Sequence, residues 1–271
     1  FLVHYPYECT EQLLNRYVPL AITNGFYGRY PQLRAAVAKL PKRDTATPEW
    51  ERDNPVRTMS LLETPWERQS RGLKSYWPLV DMLDPKTVSA EKDDAIGKLK
   101  SYQNPDGSFP WFPGGHPSLY MTLYVLEGLS EAARYGVDVP EDMARRALAY
   151  ALSEIPRHMK AEEQELAFTL YGAYVATSFP PSWPESRTAL VYAKAWADYA
   201  DKHSNAMTQL GKAYAAYVYL RLGEKAKAGS YLDRAMDGAR SDDIAGVYWT
   251  PEKISWLWYN DTVEKHAFML R

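Results

Sequence analysis

The sequence predicts an all-α protein, because apolar residues recur at helical spacing along much of its length and proline or glycine ends each segment. Leu166, Leu170 and Ala173, for example, lie three or four residues apart shortly before a pair of prolines. Runs that alternate apolar and polar residues, as half-buried strands do, are scarce. The fold class that follows is helical, built from helix pairs.

The predicted helices follow one another in short succession. Their bounds are 12–26 (with a kink at Pro19), 30–40, 87–103, 118–135, 144–153, 162–177, 185–203, 208–222 and 225–236. The pair 208–222 and 225–236, with Gly223 at its turn, is similar to one tetratricopeptide-type hairpin. One such pair does not make a repeat array, since stacking needs at least three repeats.

One domain covering 1–271 is expected, because a chain of this length with 46% apolar residues can bury a sizeable core. Residues 41–71 are charged, contain prolines and hold few apolar side chains. We expect a surface excursion there with a short helix near Trp66; a domain boundary is the alternative. The start at Phe1, just ahead of the cysteine, favours a fragment of a larger multidomain protein.

Charge and composition argue against several function classes. A net charge of −2 gives no special affinity for nucleic acid or for an anionic membrane, and no apolar run approaches a membrane span. A single cysteine excludes an internal disulfide. The five histidines show no metal-ligand spacing, so we expect neither a metal nor a cofactor.

Cys9, the single cysteine, stands three residues before Gln12. This is the spacing of a helix capping box, with sulfur in place of the usual hydroxyl. Such a box brings the sulfur against the carboxamide carbon, and a helix N-terminus favours the nucleophilic thiolate. Attack on Gln12 with loss of ammonia would give an internal thioester. The alternative is that Cys9 is inert core packing.

The residues around this pair resemble the thioester motif of the bacterial alpha-2-macroglobulins, relatives of the animal macroglobulin inhibitors and complement thioester proteins. The motif here reads Tyr5-Pro6-Tyr7-Glu8-Cys9-Thr10-Glu11-Gln12. Later blocks that are similar to the same family, in its order, lie at 61–66, 104–115, 120–129, 246–249 and 262–267. The resemblance covers most of the chain.

The resemblance implies an α/α toroid of helical hairpins and a role in protease trapping. In that scheme a protease cleaves a bait segment elsewhere in the parent, a protease lysine attacks the Gln12 carbonyl carbon, and Cys9 leaves. The domain is then an inhibitor used once, not a turnover enzyme. Its partners are target proteases and other domains of the parent, in the periplasm, the cell envelope or outside the cell.

A thioester must be kept from water, so aromatic shielding is expected around it. The candidates are Tyr5, Tyr7, Trp111 and Trp249. The alternative for the two tyrosines is ordinary packing ahead of the first helix.

His116 is a further candidate, because in some members of the wider family a downstream histidine attacks the thioester and redirects transfer toward hydroxyl groups. Such a histidine acts as a neutral, nucleophilic imidazole. The alternative is that His116 merely occupies the tip of the loop 113–117.

Two aromatic loops precede helices at similar spacing. Gly107 stands ahead of Thr122, and Gly246 stands ahead of Thr262 in the same way. This weak repeat favours a closed arrangement of hairpins, although periodicity alone does not separate a toroid from an open solenoid.

Two other functions stay open. A helical binding scaffold with an unused thioester motif is the main alternative. Gln103 with the segment 106–109 also resembles the Gln-Gly-aromatic motif of terpene cyclases, which share the toroid, but an aspartate-rich protonation motif is absent.

Overall fold

The computed structural model describes residues 8–39, 83–160, 162–244, 246–251 and 262–270, and these are mostly helical. The helices are α1 (Thr10–Arg29), α2 (Pro31–Val37), α3 (Pro85–Tyr102), α4 (Leu119–Arg134), α5 (Glu141–Glu154), α6 (Glu163–Ala176), α7 (Pro184–Lys202), α8 (Gln209–Arg221), α9 (Lys225–Met236) and α10 (Thr262–Met269). The all-α prediction is confirmed. The bounds of α1 to α9 agree with the sequence predictions to within three residues. The segment 41–71, with the short helix predicted near Trp66, lies outside the described residues.

The described residues divide into two compact units. Unit 1 comprises those within Phe1–Tyr102, Trp111–Gly115 and Glu131–Val139. Unit 2 comprises those within Gln103–Pro110, His116–Ser130 and Pro140–Arg271. One domain over 1–271 and a closed toroid therefore stay predictions.

Unit 1 is built on the packing of α1 along α3. Leu13 and Leu20 lie on the buried side of α1, and Leu99 is fully buried on α3. Each such side chain contributes about 1.5–3 kcal/mol when it leaves water. The Tyr27 hydroxyl donates to the carbonyl of Leu83 at 2.6 Å and so fixes the far end of α1 to the segment that leads into α3.

Unit 2 contains a series of packed helices in which α6 contacts α5, α7 and α8. The hairpin of α8 and α9 turns at Gly223, whose φ is +81°, and Tyr219 stacks on Tyr231 with ring centroids 5.6 Å apart. Arg145 on α5 makes a two-pronged ion pair with Glu185 on α7, with nitrogen–oxygen distances of 2.9 and 3.1 Å. These contacts explain why the predicted hairpins form.

The sequence did not predict a β-hairpin near the end of unit 2. Strands β1 (Ala239–Asp242) and β2 (Gly246–Trp249) pair antiparallel, with Ala239 opposite Trp249. Four-residue strands are too short to show an alternating pattern. The Asp242 carboxylate accepts the backbone N–H of Ile244 at 2.8 Å, which stabilises the turn between them.

Both aromatic loops are hydrogen-bonded to the helix that follows. The Phe109 N–H donates to Thr122 Oγ1 on α4 at 2.9 Å. The Trp249 N–H donates to His266 Nε2 on α10 at 3.1 Å. The weak sequence repeat therefore has a structural counterpart, although His266 supplies the acceptor in the second loop.

Gly107 is expected to be the glycine most sensitive to substitution. Its φ is +90°, and a Cβ there would lie 2.4 Å from the Arg146 carbonyl oxygen. Gly107→Ala should therefore lower the free energy of unfolding by more than about 3 kcal/mol, since left-handed strain is joined by a backbone clash. Gly223→Ala, with a φ of +81° but open space, should cost about 1–2 kcal/mol. Urea unfolding measures both, and equal losses would contradict the clash.

Candidate functional site

Cys9 is the N-cap residue of α1, and Gln12 is the third residue of its first turn. Cys9 has extended backbone angles (φ −97°, ψ 169°), and its N–H donates to Gln12 Oε1 at 3.0 Å. In return, the Cys9 side chain receives the backbone N–H of Gln12. The capping box predicted from the spacing is therefore present, with sulfur as one acceptor.

This arrangement fixes the carboxamide as well as the helix. The Gln12 oxygen is held at the positive end of α1, where its hydrogen bond draws electron density away from the carbonyl carbon. Cys9 is 5% exposed and Thr10 is fully buried, so water has little access to the sulfur. A thiol and a hydrogen-bonded carboxamide thus share one turn of helix.

Trp111 lies beside the cap through its backbone. Its carbonyl accepts the Thr10 N–H at 3.0 Å, which satisfies a first-turn donor of α1. The Trp111 side chain is 38% exposed, and that of Phe112 is 62% exposed. Of the four predicted shielding residues, Trp111 is the one that the described contacts join to the cap segment, while Tyr5 and Tyr7 lie outside the described residues.

Trp249 and His116 both belong to unit 2. The Trp249 side chain is buried, and its indole N–H donates to the Ala235 carbonyl at 3.0 Å. His116 is exposed in the segment that precedes α4. The shielding role of Trp249 and the nucleophilic role of His116 stay predictions.

Sequence reasoning missed a group of charged side chains next to the cap. Arg16 is only 6% exposed, yet it stands among the buried apolar residues of α1 and contacts the carboxylates of Glu8 and Asp94. Lys98 donates to the same Glu8 carboxylate, and this hydrogen bond raises the pKa of the Lys98 amine. The available signal was Arg16 itself, a charge at a core position of an amphipathic helix.

Gln103 has a structural task within unit 2. Its amide nitrogen donates to the carbonyls of Gly107 and Met143, each at 2.9 Å, and so ties the glycine loop to α5. These contacts account for the glutamine of the cyclase-like motif without a catalytic role.

Neither a metal cluster nor a spanning helix is found in the part of the chain that the structure describes. No group of three or more His, Cys, Asp or Glu side chains there could hold a metal ion. Among the same residues no helix is both long and apolar enough to cross a membrane.

Cys9→Ala should lower the free energy of unfolding by about 1 kcal/mol, because alanine cannot accept the Gln12 N–H at the N-cap. The free energy of unfolding of Cys9→Ser should lie within about 0.5 kcal/mol of that of a chain with free Cys9, since serine is a preferred N-cap residue. Urea unfolding of the two variants measures this difference. Equal stability of both would show that the side chain at this position does not cap α1.

The comparisons with known proteins point to one family. No family model matches the chain. Over 140 residues it is 35% identical to the alpha-2-macroglobulin of Thermotoga maritima, a match that covers 49% of this chain and 8% of that protein. The chain thus spans a small part of its curated relative.

Solved structures of bacterial alpha-2-macroglobulins are also similar to this chain. The native alpha-2-macroglobulin of Escherichia coli, from domain MG7 to the C-terminus, matches 99% of this chain and 34% of that chain with a TM-score of 0.50 and 18% identity. A cryo-EM structure of the native E. coli protein matches 89% of this chain and 12% of that chain, with a TM-score of 0.47 and 19% identity. At such identity the first of these matches establishes the fold. In sequence and in fold, this chain is therefore similar to a segment of the bacterial alpha-2-macroglobulins, as its motif predicted.

Proposed function

We propose that this chain is the thioester domain of a protease-trapping protein of the alpha-2-macroglobulin type, an inhibitor that reacts once rather than a turnover enzyme. The observation that carries the proposal is the capping box in which the Cys9 N–H holds Gln12 Oε1 at 3.0 Å. The similarity to bacterial alpha-2-macroglobulins supports it. Glutamine at this position serves the helix, but only cysteine at the cap adds a strong nucleophile.

Thioester formation requires one bond to form and one to break. The Cys9 thiolate adds to the Gln12 carboxamide carbon, and the negative charge collects on Oε1. The Cys9 N–H donates to that oxygen in the capping box, and in the proposed step the same donor stabilises the oxyanion. The C–N bond then breaks and nitrogen leaves as ammonia, carrying the proton that the thiol released.

Acyl transfer runs through the same carbon. A lysine amine of the protease adds to the thioester carbonyl, the charge again collects on the oxygen held by the Cys9 N–H, and the C–S bond breaks. The sulfur leaves as a thiolate and takes up a proton from the amine. The product is an amide between Gln12 and the protease, and Cys9 is free.

The moment at which the acyl group is transferred depends on when water and amines reach the thioester between Cys9 and Gln12. The cysteine is nearly buried and the Trp111 loop is bonded to the first turn of α1, which supports shielding of the acyl group until a trigger exposes it. We assign the trigger to other domains of a longer parent, placed in the periplasm, the cell envelope or outside the cell. His116 would accept the acyl group when hydroxyl groups are the targets.

A fluorescent primary amine that mimics lysine tests this function. The fresh chain should incorporate one amine per molecule, release one thiol, and carry the label at Gln12 in a peptide map. Cys9→Ser keeps the cap and should incorporate none, because an amide is not displaced by an amine without prior thioester formation.

Two results would contradict the proposal. Labelling of Cys9→Ser equal to that of the parent chain would show that the amine reacts elsewhere. Absence of label from both, with the Cys9 thiol already free in fresh protein and Gln12 still an amide, would favour the binding scaffold.

A further inference from the structure

Glu8, the residue immediately before Cys9, is held by cations from two helices. Lys98 Nζ on α3 donates to Glu8 Oε1 at 2.7 Å, and Arg16 Nη1 on α1 lies 3.3 Å from the same oxygen. The chain is therefore anchored to α1 and to α3 at the last residue before the cap.

Asp94 completes a ring of alternating charges with these three residues. Its Oδ2 accepts from Arg16 Nη2 at 2.7 Å and lies 3.0 Å from Lys98 Nζ. We call Glu8, Arg16, Asp94 and Lys98 the Glu8 ring. Because the Arg16 side chain is 6% exposed, loss of a partner carboxylate would leave a nearly buried charge poorly compensated. The ring therefore strongly favours one position of the Glu8 carboxylate.

The main chain of Glu8 is held as well. The Tyr102 hydroxyl, at the end of α3, donates to the Glu8 carbonyl oxygen at 3.3 Å. That carbonyl belongs to the same planar peptide unit as the Cys9 N–H. The N–H points the opposite way and donates to Gln12 Oε1 at 3.0 Å. One peptide plane is thus held at its carbonyl by Tyr102 and at its N–H by the reactive carboxamide.

We propose that the Glu8 ring and the Tyr102 hydroxyl position the peptide between Glu8 and Cys9 so that the thioester forms and persists. They are positioning residues, because they act through this peptide and not on the reacting atoms. If the plane rotated, the Cys9 N–H would leave the carboxamide oxygen, and both oxyanion stabilisation and alignment would be lost. We call the Glu8 ring together with the Tyr102 hydroxyl the clamp. Its effect on the thioester rests on the proposed function, whereas its hold on the peptide before Cys9 does not.

Two substitutions weaken the clamp with little change in side-chain size. Glu8→Gln removes the charge that pairs with Arg16 and Lys98, and Tyr102→Phe removes the hydroxyl. Each has a matched control elsewhere in the chain. Glu185→Gln breaks the ion pair with Arg145, and Tyr27→Phe removes a hydroxyl that also donates to a backbone carbonyl. Glu8→Asp retains the carboxylate and should therefore impair the thioester less than Glu8→Gln does.

The first measurement is intact mass, which gives the fraction of fresh chains that lack one ammonia and the rate at which they react with water. Glu8→Gln should lower this fraction, or raise the rate of reaction with water, by about tenfold. This is less than the loss on the order of a hundredfold that follows a misplacement of about 1 Å. Tyr102→Phe should act in the same direction, and both controls should match the parent chain. The second measurement is the rate at which iodoacetamide alkylates Cys9 after methylamine has opened any thioester. Release of the clamp should raise that rate severalfold.

The outcomes separate the two proposals. A parent chain that forms the thioester while Glu8→Gln and Tyr102→Phe form and keep it equally well overturns the positioning role and leaves the proposed function standing. If the unsubstituted chain never loses ammonia, the proposed function is wrong for this chain. The alkylation rates of Cys9 then test the clamp alone. Faster alkylation in Glu8→Gln and Tyr102→Phe, but not in the controls, supports the clamp. Equal rates in the unsubstituted chain, these two variants and both controls overturn it.

Discussion

The hydrogen bond from the Cys9 N–H to Gln12 Oε1 is the interaction on which the site depends. An N-cap residue often leaves a donor to be satisfied by a side chain three residues on, so this bond needs no special geometry. Its consequence is unusual because the cap is cysteine. The contact that stabilises the start of α1 also turns the carboxamide toward the positive end of the helix. In the proposed function, helix capping and acyl chemistry would therefore use the same atoms.

The charged residues beside the cap lower the stability of the fold, and apolar packing around them offsets this loss. A nearly buried arginine is unfavourable unless carboxylates compensate it, and a hydrophobic side chain could fill the same place in α1 more cheaply. The apolar packing of α1 on α3 supplies the stability that permits such a group. Unit 2 holds its helices through its own buried residues, such as Tyr174 and Phe268, whose rings meet edge to face at 4.9 Å.

The helices and the cap could be predicted from the sequence because both depend on residues close together in the chain. Periodicity with proline and glycine stops gave α1 to α9, and a three-residue spacing gave the Cys9–Gln12 box. The Glu8 ring could not be found in this way, since the two contacts that join α3 to the cap segment and α1 link residues 78 and 90 positions apart. The β-hairpin was missed for another reason: its four-residue strands carry no alternation, and pairing across the turn decides them.

The intact mass of freshly prepared protein tests the central claim most directly. The account predicts a mass that is short by one ammonia and that rises by one methylamine on treatment, with release of a single thiol from Cys9. A protein whose thioester had formed and then hydrolysed would instead show Gln12 converted to glutamate. A mass equal to that of the unmodified sequence, with Cys9 free and Gln12 still an amide, would contradict the account.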